Sequence, residues 1–138
     1  CSEALHVAMN NAVTHETEIN FHLLDFLDES TWDELGMYDS IISNPPYIKS
    51  SESKTMGEHV LAYEPHKALF VPDNDALIFY TKIAAFANTH LNPGGKVYVE
   101  INQQLGTETA DVFLKHGFTD VQLLKDMSGN ERFVTCSL

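Results

Sequence analysis

Basic residues are scarce in this sequence. Eight lysines and arginines stand against twenty aspartates and glutamates, a formal net charge of −12 over 138 residues. Affinity for nucleic acid comes largely from lysine and arginine displacing counterions from phosphates, so this composition argues against direct nucleic-acid binding. There are two cysteines, Cys1 and Cys136, in neither a metal-type nor a redox-type spacing, which fits a reducing compartment rather than a disulfide-stapled secreted scaffold. No apolar run approaches the roughly 18 residues needed to cross a bilayer, and the first residues lack the basic-then-apolar order of a signal peptide. A soluble, cytoplasmic protein without membrane attachment is expected. The seven histidines lack paired ligand spacing, so no metal site is expected. Apolar material is plentiful: 43% of residues are hydrophobic, enough for a packed core and too much for a disordered chain. The length predicts one domain around one core.

Apolar periodicity predicts alternating helices and strands. Glu3 to Val13 carries Ala4, Leu5, Ala8 and Ala12 at helical intervals. Ile19 to Leu24 alternates apolar and polar residues and reads as a strand ending at Asp25-Phe26, followed by an acidic, solvated connection to Glu34 around Trp32. Ser40 to Ser43 is a short apolar strand stopped by Asn44-Pro45-Pro46-Tyr47. The polar stretch from Ile48 to Asp75, interrupted by Pro65 and Pro72, predicts a long excursion with a helical turn or two near Met56 to Ala62. Leu77 to His90 is a helix ended by Asn92-Pro93-Gly94-Gly95, whose double glycine reads as a turn before a strand at Val97 to Ile101. Thr107 to His116 is a helix capped by Gly117, and Val121 to Leu124 and Phe133 to Cys136 are closing strands around a Ser128-Gly129-Asn130 turn. This alternation implies an α/β sheet with helices on its faces. Ligands of such sheets bind beyond the carboxyl ends of the strands, which directs attention to Asp25-Phe26, Asn44 to Tyr47, and Glu100-Ile101.

Asn44-Pro45-Pro46-Tyr47 is the most informative segment. Two prolines after an apolar strand prevent the usual crossover helix, because proline lacks an N–H and Pro46 pushes Pro45 toward extended geometry. The Pro45 carbonyl and the Asn44 side-chain carbonyl are then two acceptors able to converge on one NH2 group, and Tyr47 offers a flat face for a planar amide or base. That suits methyl transfer to a weakly nucleophilic planar nitrogen. Attack makes the nitrogen more positive, and acceptors aimed at its protons stabilise that charge while fixing the approach to a sulfonium methyl. The bland alternative is a rigid turn with a packed tyrosine.

Ser43-Asn44-Pro45-Pro46-Tyr47-Ile48, followed by Tyr63-Glu64-Pro65-His66-Lys67-Ala68-Leu69-Phe70, resembles the HemK/PrmC family of release factor glutamine methyltransferases. The resemblance extends from Glu3-Ala4-Leu5-His6-Val7-Ala8 and Asn11-Ala12 to the closing Asp126 and Gly129-Asn130-Glu131-Arg132. It implies an α/β, Rossmann-like S-adenosylmethionine-dependent methyltransferase fold, S-adenosylmethionine as cofactor, and a peptide chain release factor as partner. The product would be a methylated side-chain amide of the glutamine in a Gly-Gly-Gln motif. It also implies that Asn44 and the Pro45 carbonyl accept from that amide, that Pro46 shapes the loop, and that Tyr47 stacks on the amide plane. Asn44 would also lie beside the cofactor, with Asp25 bonding the adenine amine and Phe26 beside the ring. Glu100 either supports the substrate loop or faces solvent, and Glu64 with Pro65 braces the excursion.

The family pattern also has a glycine-rich loop after a first strand and an acidic residue after a second, and neither is in this sequence. The 138 residues therefore resemble a partial methyltransferase catalytic domain, truncated before that loop and without the family's N-terminal helical domain. Family topology places the missing strands between Ile19 to Leu24 and Ser40 to Ser43. Unpaired edges would then rearrange or pair with another copy, making a homo-oligomer. Two further readings stand beside the main one. An adenine amino-methyltransferase would use the same tetrad but is disfavoured by charge, and a non-catalytic protein-binding module would keep the fold without the cofactor.

Overall fold

The computed structural model describes residues 1–55, 63 and 65–138. The helical turn expected near Met56 to Ala62, and Glu64, lie outside the described residues. The backbone divides into two compact units, Cys1–Trp32 and Asp33–Leu138.

In the first unit, α1 (Ser2–Thr14) forms where the helical spacing of alanines and Leu5 predicts it, with Ala12 on its buried side. The chain leaves the helix through Glu16 at φ 51°, and the Thr17 N–H caps the Ala12 carbonyl at 3.0 Å. The expected strand at Ile19 to Leu24 does not form, and no rearranged pairing replaces it. Alternating side chains are insufficient on their own, because a strand needs a neighbour to take its N–H and C=O groups and this unit has no second extended ladder. The acidic stretch after Asp25 is also more ordered than a solvated connection. Glu29–Glu34 winds into a 3-10 helix, and Trp32 is buried, its indole N–H donating to the Phe26 carbonyl at 3.1 Å. The Phe26 and Trp32 rings pack with centroids 5.5 Å apart.

The second unit holds β1 (Tyr38–Ser43), β2 (Ile48–Lys49), α2 (His66–Leu69), β3 (Phe70–Val71), α3 (Ile78–His90), β4 (Leu91–Glu100), α4 (Gly106–Lys115), β5 (Thr119–Lys125) and β6 (Glu131–Ser137). Among the described residues the main sheet has the order β1-β4-β6-β5, with β1 and β4 parallel and the other two pairings antiparallel. The long excursion returns as a small parallel ladder, Ile48 opposite Phe70 and Lys49 opposite Val71.

Alternation along β4 and β6 decides where the core sits. Val97 and Val99 pair with Cys136 and Val134, and all four are almost wholly buried. Tyr80, Ile83, Ala84 and Ala87 of α3 and Val112 and Phe113 of α4 supply the helical share of the core. α3 packs on β4, and α4 on β5 and β6. Burying each large aliphatic side chain contributes roughly 1.5–3 kcal/mol, so the most stable part of this unit is the β4–β6 pair and its helices. The functional strand end at Glu100 is thus the tip of the best-packed strand.

The double glycine lies inside β4 rather than before it. Tyr38 pairs with Leu91 but Ser40 pairs with Lys96, so residues 92–95 bulge opposite Asp39. Gly94 has φ +79°, and a Cβ on Gly95 would stand 2.9 Å from both the Asn92 and Asp39 carbonyl oxygens. The Asn92 side chain donates to the Asp39 carboxylate at 2.8 Å, closing the bulge. The glycines are needed for close backbone approach within a continuing strand, a demand that looks like a turn in sequence.

Gly95→Ala is expected to lower unfolding stability by about 1–3 kcal/mol, because backbone atoms must shift to admit the methyl group. Gly36→Ala, where a Cβ meets nothing within 4 Å, should change it little. Urea unfolding of the two variants checks the contrast.

Candidate active site

The loop from Asn44 to Tyr47 starts where β1 stops, since consecutive prolines cannot donate to a ladder. Asn44 is exposed, Pro45 is buried, and Pro46 and Tyr47 are half-buried. The loop is held from the far side of the sheet sequence, by the end of β4. The Tyr47 hydroxyl donates to Glu100 Oε1 at 2.7 Å, the partners standing 53 positions apart in sequence. The Tyr80 hydroxyl of α3 donates to the Glu100 backbone carbonyl at 3.0 Å, fixing the strand end itself.

Asn102 completes the attachment. It is 6% exposed, and its Nδ2 donates to the Tyr47 carbonyl and to Glu52 Oε1, both at 3.3 Å, while its Oδ1 accepts the Gln104 N–H at 3.0 Å. Glu52 Oε1 also accepts the Lys49 N–H at 3.0 Å, so the chain on either side of Ile48 is tied to the same carboxamide. Ser50 Oγ donates to the Val71 carbonyl at 3.0 Å, and the Ser51 N–H to Asp73 Oδ1 at 2.9 Å, joining the start of the excursion to its return. Buried polar groups bonded this fully favour a single loop geometry over an ensemble.

Burial and the adjacent Glu100 carboxylate push the Tyr47 phenol above its ordinary ionisation range. Burial likewise raises Tyr80. Both hydroxyls therefore stay protonated donors at neutral pH. On the β5–β6 turn, the Asn130 N–H holds the Asp126 carboxyl below its usual range, with help from the Arg132 guanidinium and the Ser128 N–H. Arg132 Nε lies 3.2 Å from Asp126 Oδ2.

A cavity of about 120 Å³ opens at the loop, between Asn44, Pro45, Tyr47 and Ile48 on one side and Ala68 and Leu69 of α2 on the other. It is the volume of about four liquid waters, enough for the end of a side chain. The Tyr63-to-Phe70 segment singled out in the sequence thus contributes its Ala68-Leu69 step to the cavity wall, while Pro65 starts α2 and Tyr63 is exposed.

The first unit carries Asp25 and Phe26. Asp25 is exposed and its Oδ1 accepts the Leu27 N–H at 3.1 Å, while the half-buried Phe26 is held against Trp32. An exposed carboxylate beside a fixed aromatic ring is a donor set that fits an amino-substituted heteroaromatic ring.

Sequence reasoning left Glu100 undecided between loop support and solvent, and the Tyr47 bond decides for support. It missed Asn102, Glu52 and Tyr80. The available signal was position alone, Asn102 standing two residues beyond Glu100. Among the described residues no cluster of three or more His, Cys, Asp or Glu could hold a metal ion, and no helix is long and apolar enough to cross a membrane.

No protein-family model matches the chain. Among solved structures, a methyltransferase from Pyrococcus furiosus superposes with a TM-score of 0.61 at 22% identity, covering 99% of this chain and 58% of that one. The fold is therefore Rossmann-like. Among curated proteins, the release factor glutamine methyltransferase of Flavobacterium psychrophilum is 45% identical over 132 residues, 96% of this chain and 46% of the relative. That of Bacteroides thetaiotaomicron is 38% identical over 135 residues, 98% of this chain and 48% of the relative. By sequence the chain is a homologue of the release factor glutamine methyltransferases, and it spans about half the length of the curated relatives it matches.

Removing the phenol hydroxyl in Tyr47→Phe should cost about 1–3 kcal/mol in urea unfolding, since the Glu100 carboxylate loses its donor. The Asp126 turn should respond to acid. Its folded-state value is depressed, so its contribution is present above the unfolded carboxylate value and is lost as pH falls through the lower folded one. Carboxyl carbon shifts followed by NMR should show Asp126 titrating below the ordinary aspartate value.

Proposed function

We propose that this sequence is part of an S-adenosylmethionine-dependent enzyme that methylates the side-chain amide nitrogen of glutamine in the Gly-Gly-Gln motif of peptide chain release factors. The observation that carries this reading is the Asn44–Tyr47 loop itself, held by Glu100 and Asn102 at the rim of a cavity sized for a side-chain end. The narrower substrate is supported by the relatives, which are release factor glutamine methyltransferases. Because the chain covers about half of those proteins, the activity is ascribed to the whole protein that carries it.

In this account the Asn44 side-chain oxygen and the Pro45 carbonyl accept the two N–H groups of the glutamine amide. Pro46 holds the backbone extended so that the two acceptors converge. Tyr47 presents its ring to the amide plane. Its hydroxyl donates to Glu100 and stays protonated, so it is not a base. Two neutral oxygens aimed at the amide protons stabilise the positive charge that grows on nitrogen. S-adenosylmethionine would supply an electrophilic methyl group when bound, and Asp25 and Phe26 are the residues that would hold its adenine. A net charge of −12 disfavours the adenine reading, because a polynucleotide would meet repulsion at this surface.

Full-length protein carrying this sequence should transfer labelled methyl to release-factor glutamine and not to an oligonucleotide. Asn44→Ala should slow that transfer by roughly 10²–10³, the usual loss for one aligned polar group in a transition state. Near-parental transfer by Asn44→Ala would remove Asn44 from the mechanism, and label on the oligonucleotide would overturn the substrate.

A further inference from the structure

A second cavity, of about 190 Å³, adjoins the first and shares Tyr47 and Ile48 with it. Its remaining wall is Glu52, Asn102, Gln103, Gln104 and Arg132. The two cavities thus lie on either side of a common wall, and an occupant reaching past Tyr47 and Ile48 would meet both. No part of the methyl-transfer account uses this space.

The wall chemistry narrows the occupant. Arg132 is the chain's single arginine. Its side chain is 27% exposed; Nε bonds Asp126 and the guanidinium also interacts with Tyr47, and five N–H donors leave enough for a further partner. Gln103 and Gln104 are exposed and bring carboxamides that both donate and accept. Glu52 puts a carboxylate in the same wall, held in place by the Lys49 N–H and Asn102. A phosphate would face that carboxylate, and an apolar group would strand the polar wall. A neutral chain of alternating carbonyls and N–H groups meets complementary partners throughout. Pockets for drug-sized ligands are about 300–1,000 Å³, so this smaller one suits a short stretch of backbone with little side chain.

We infer that the second cavity is a subsite for the peptide backbone adjoining the methyl-accepting glutamine, with Arg132, Gln103 and Gln104 bonding its peptide groups. The inference rests on the proposed glutamine methylation. Arg132 then braces the β5–β6 turn through Asp126, reaches Tyr47, and presents its remaining donors to the substrate. The Gly-Asn-Glu-Arg turn, remote in sequence from the tetrad, is brought beside it by the β4–β6 pairing, in which Ile101 N–H donates to the Arg132 carbonyl at 3.0 Å.

The test uses the full-length protein and an unphosphorylated peptide centred on Gly-Gly-Gln. Gln103→Ala/Gln104→Ala alters two exposed side chains, so its fold should be kept, and Arg132→Lys keeps the charge but removes the fork. Each is expected to raise KM for the peptide by about tenfold or more, and the double glutamine variant should leave kcat and KM for S-adenosylmethionine within about twofold. Unchanged peptide KM in the double glutamine variant would overturn the subsite. So would inorganic phosphate competing with the peptide, which would make the cavity an anion site. A parent enzyme that methylates only an oligonucleotide would instead defeat the reading on which the subsite rests, and that outcome shows in the unmutated protein.

Discussion

The hydrogen bond from the Tyr47 hydroxyl to Glu100 joins the two halves of the candidate site. It connects a proline-stiffened loop after an edge strand to the tip of the best-packed strand in the unit. Prolines restrict the loop's own dihedrals but do not say where it points, and a loop beside an edge strand has few neighbours to settle the matter. The β4 end supplies that direction. Val97, Val99 and Ile101 bury the strand, Tyr80 bonds its last carbonyl, and the Glu100 side chain projects that rigidity onto Tyr47. Asn102 repeats the attachment on the backbone of the same residue.

Under the proposed function, this arrangement lets Tyr47 serve by its ring alone. With its hydroxyl donating to a carboxylate and its ionisation suppressed by burial, Tyr47 has no proton chemistry to offer near neutral pH. The chemistry left to the loop is that of neutral carbonyl oxygens and one aromatic face. A primary amide needs its protons held and its plane fixed, which such groups provide without a strong base. The relatives' names agree with that chemistry, although the shared length is only about half of theirs.

The helices and most strands were legible because their periodicity was regular: α1, α3, α4 and the β5–β6 hairpin stand close to where the apolar spacing puts them. Ile19 to Leu24 failed because a strand depends on a partner that its own residues do not encode. The Gly94-Gly95 step misled because a bulge and a turn make the same demand on glycine. The tetrad was legible through two prolines whose local effect is strong. Its supports were not, since Asn102, Glu52 and Tyr80 act through contacts between elements far apart in sequence and carry no local signature.

The account's central claim is that Tyr47 and Glu100 act as one unit in presenting the loop to an amide. A double-mutant cycle on methyl transfer by full-length protein tests it most directly, with Tyr47→Phe, Glu100→Gln and the pair compared in kcat. If the two residues act through their mutual bond, the double variant should lose little more than either single one, a coupling of about 1–2 kcal/mol. Losses that simply add would contradict the account and leave Glu100 a bystander at the strand end.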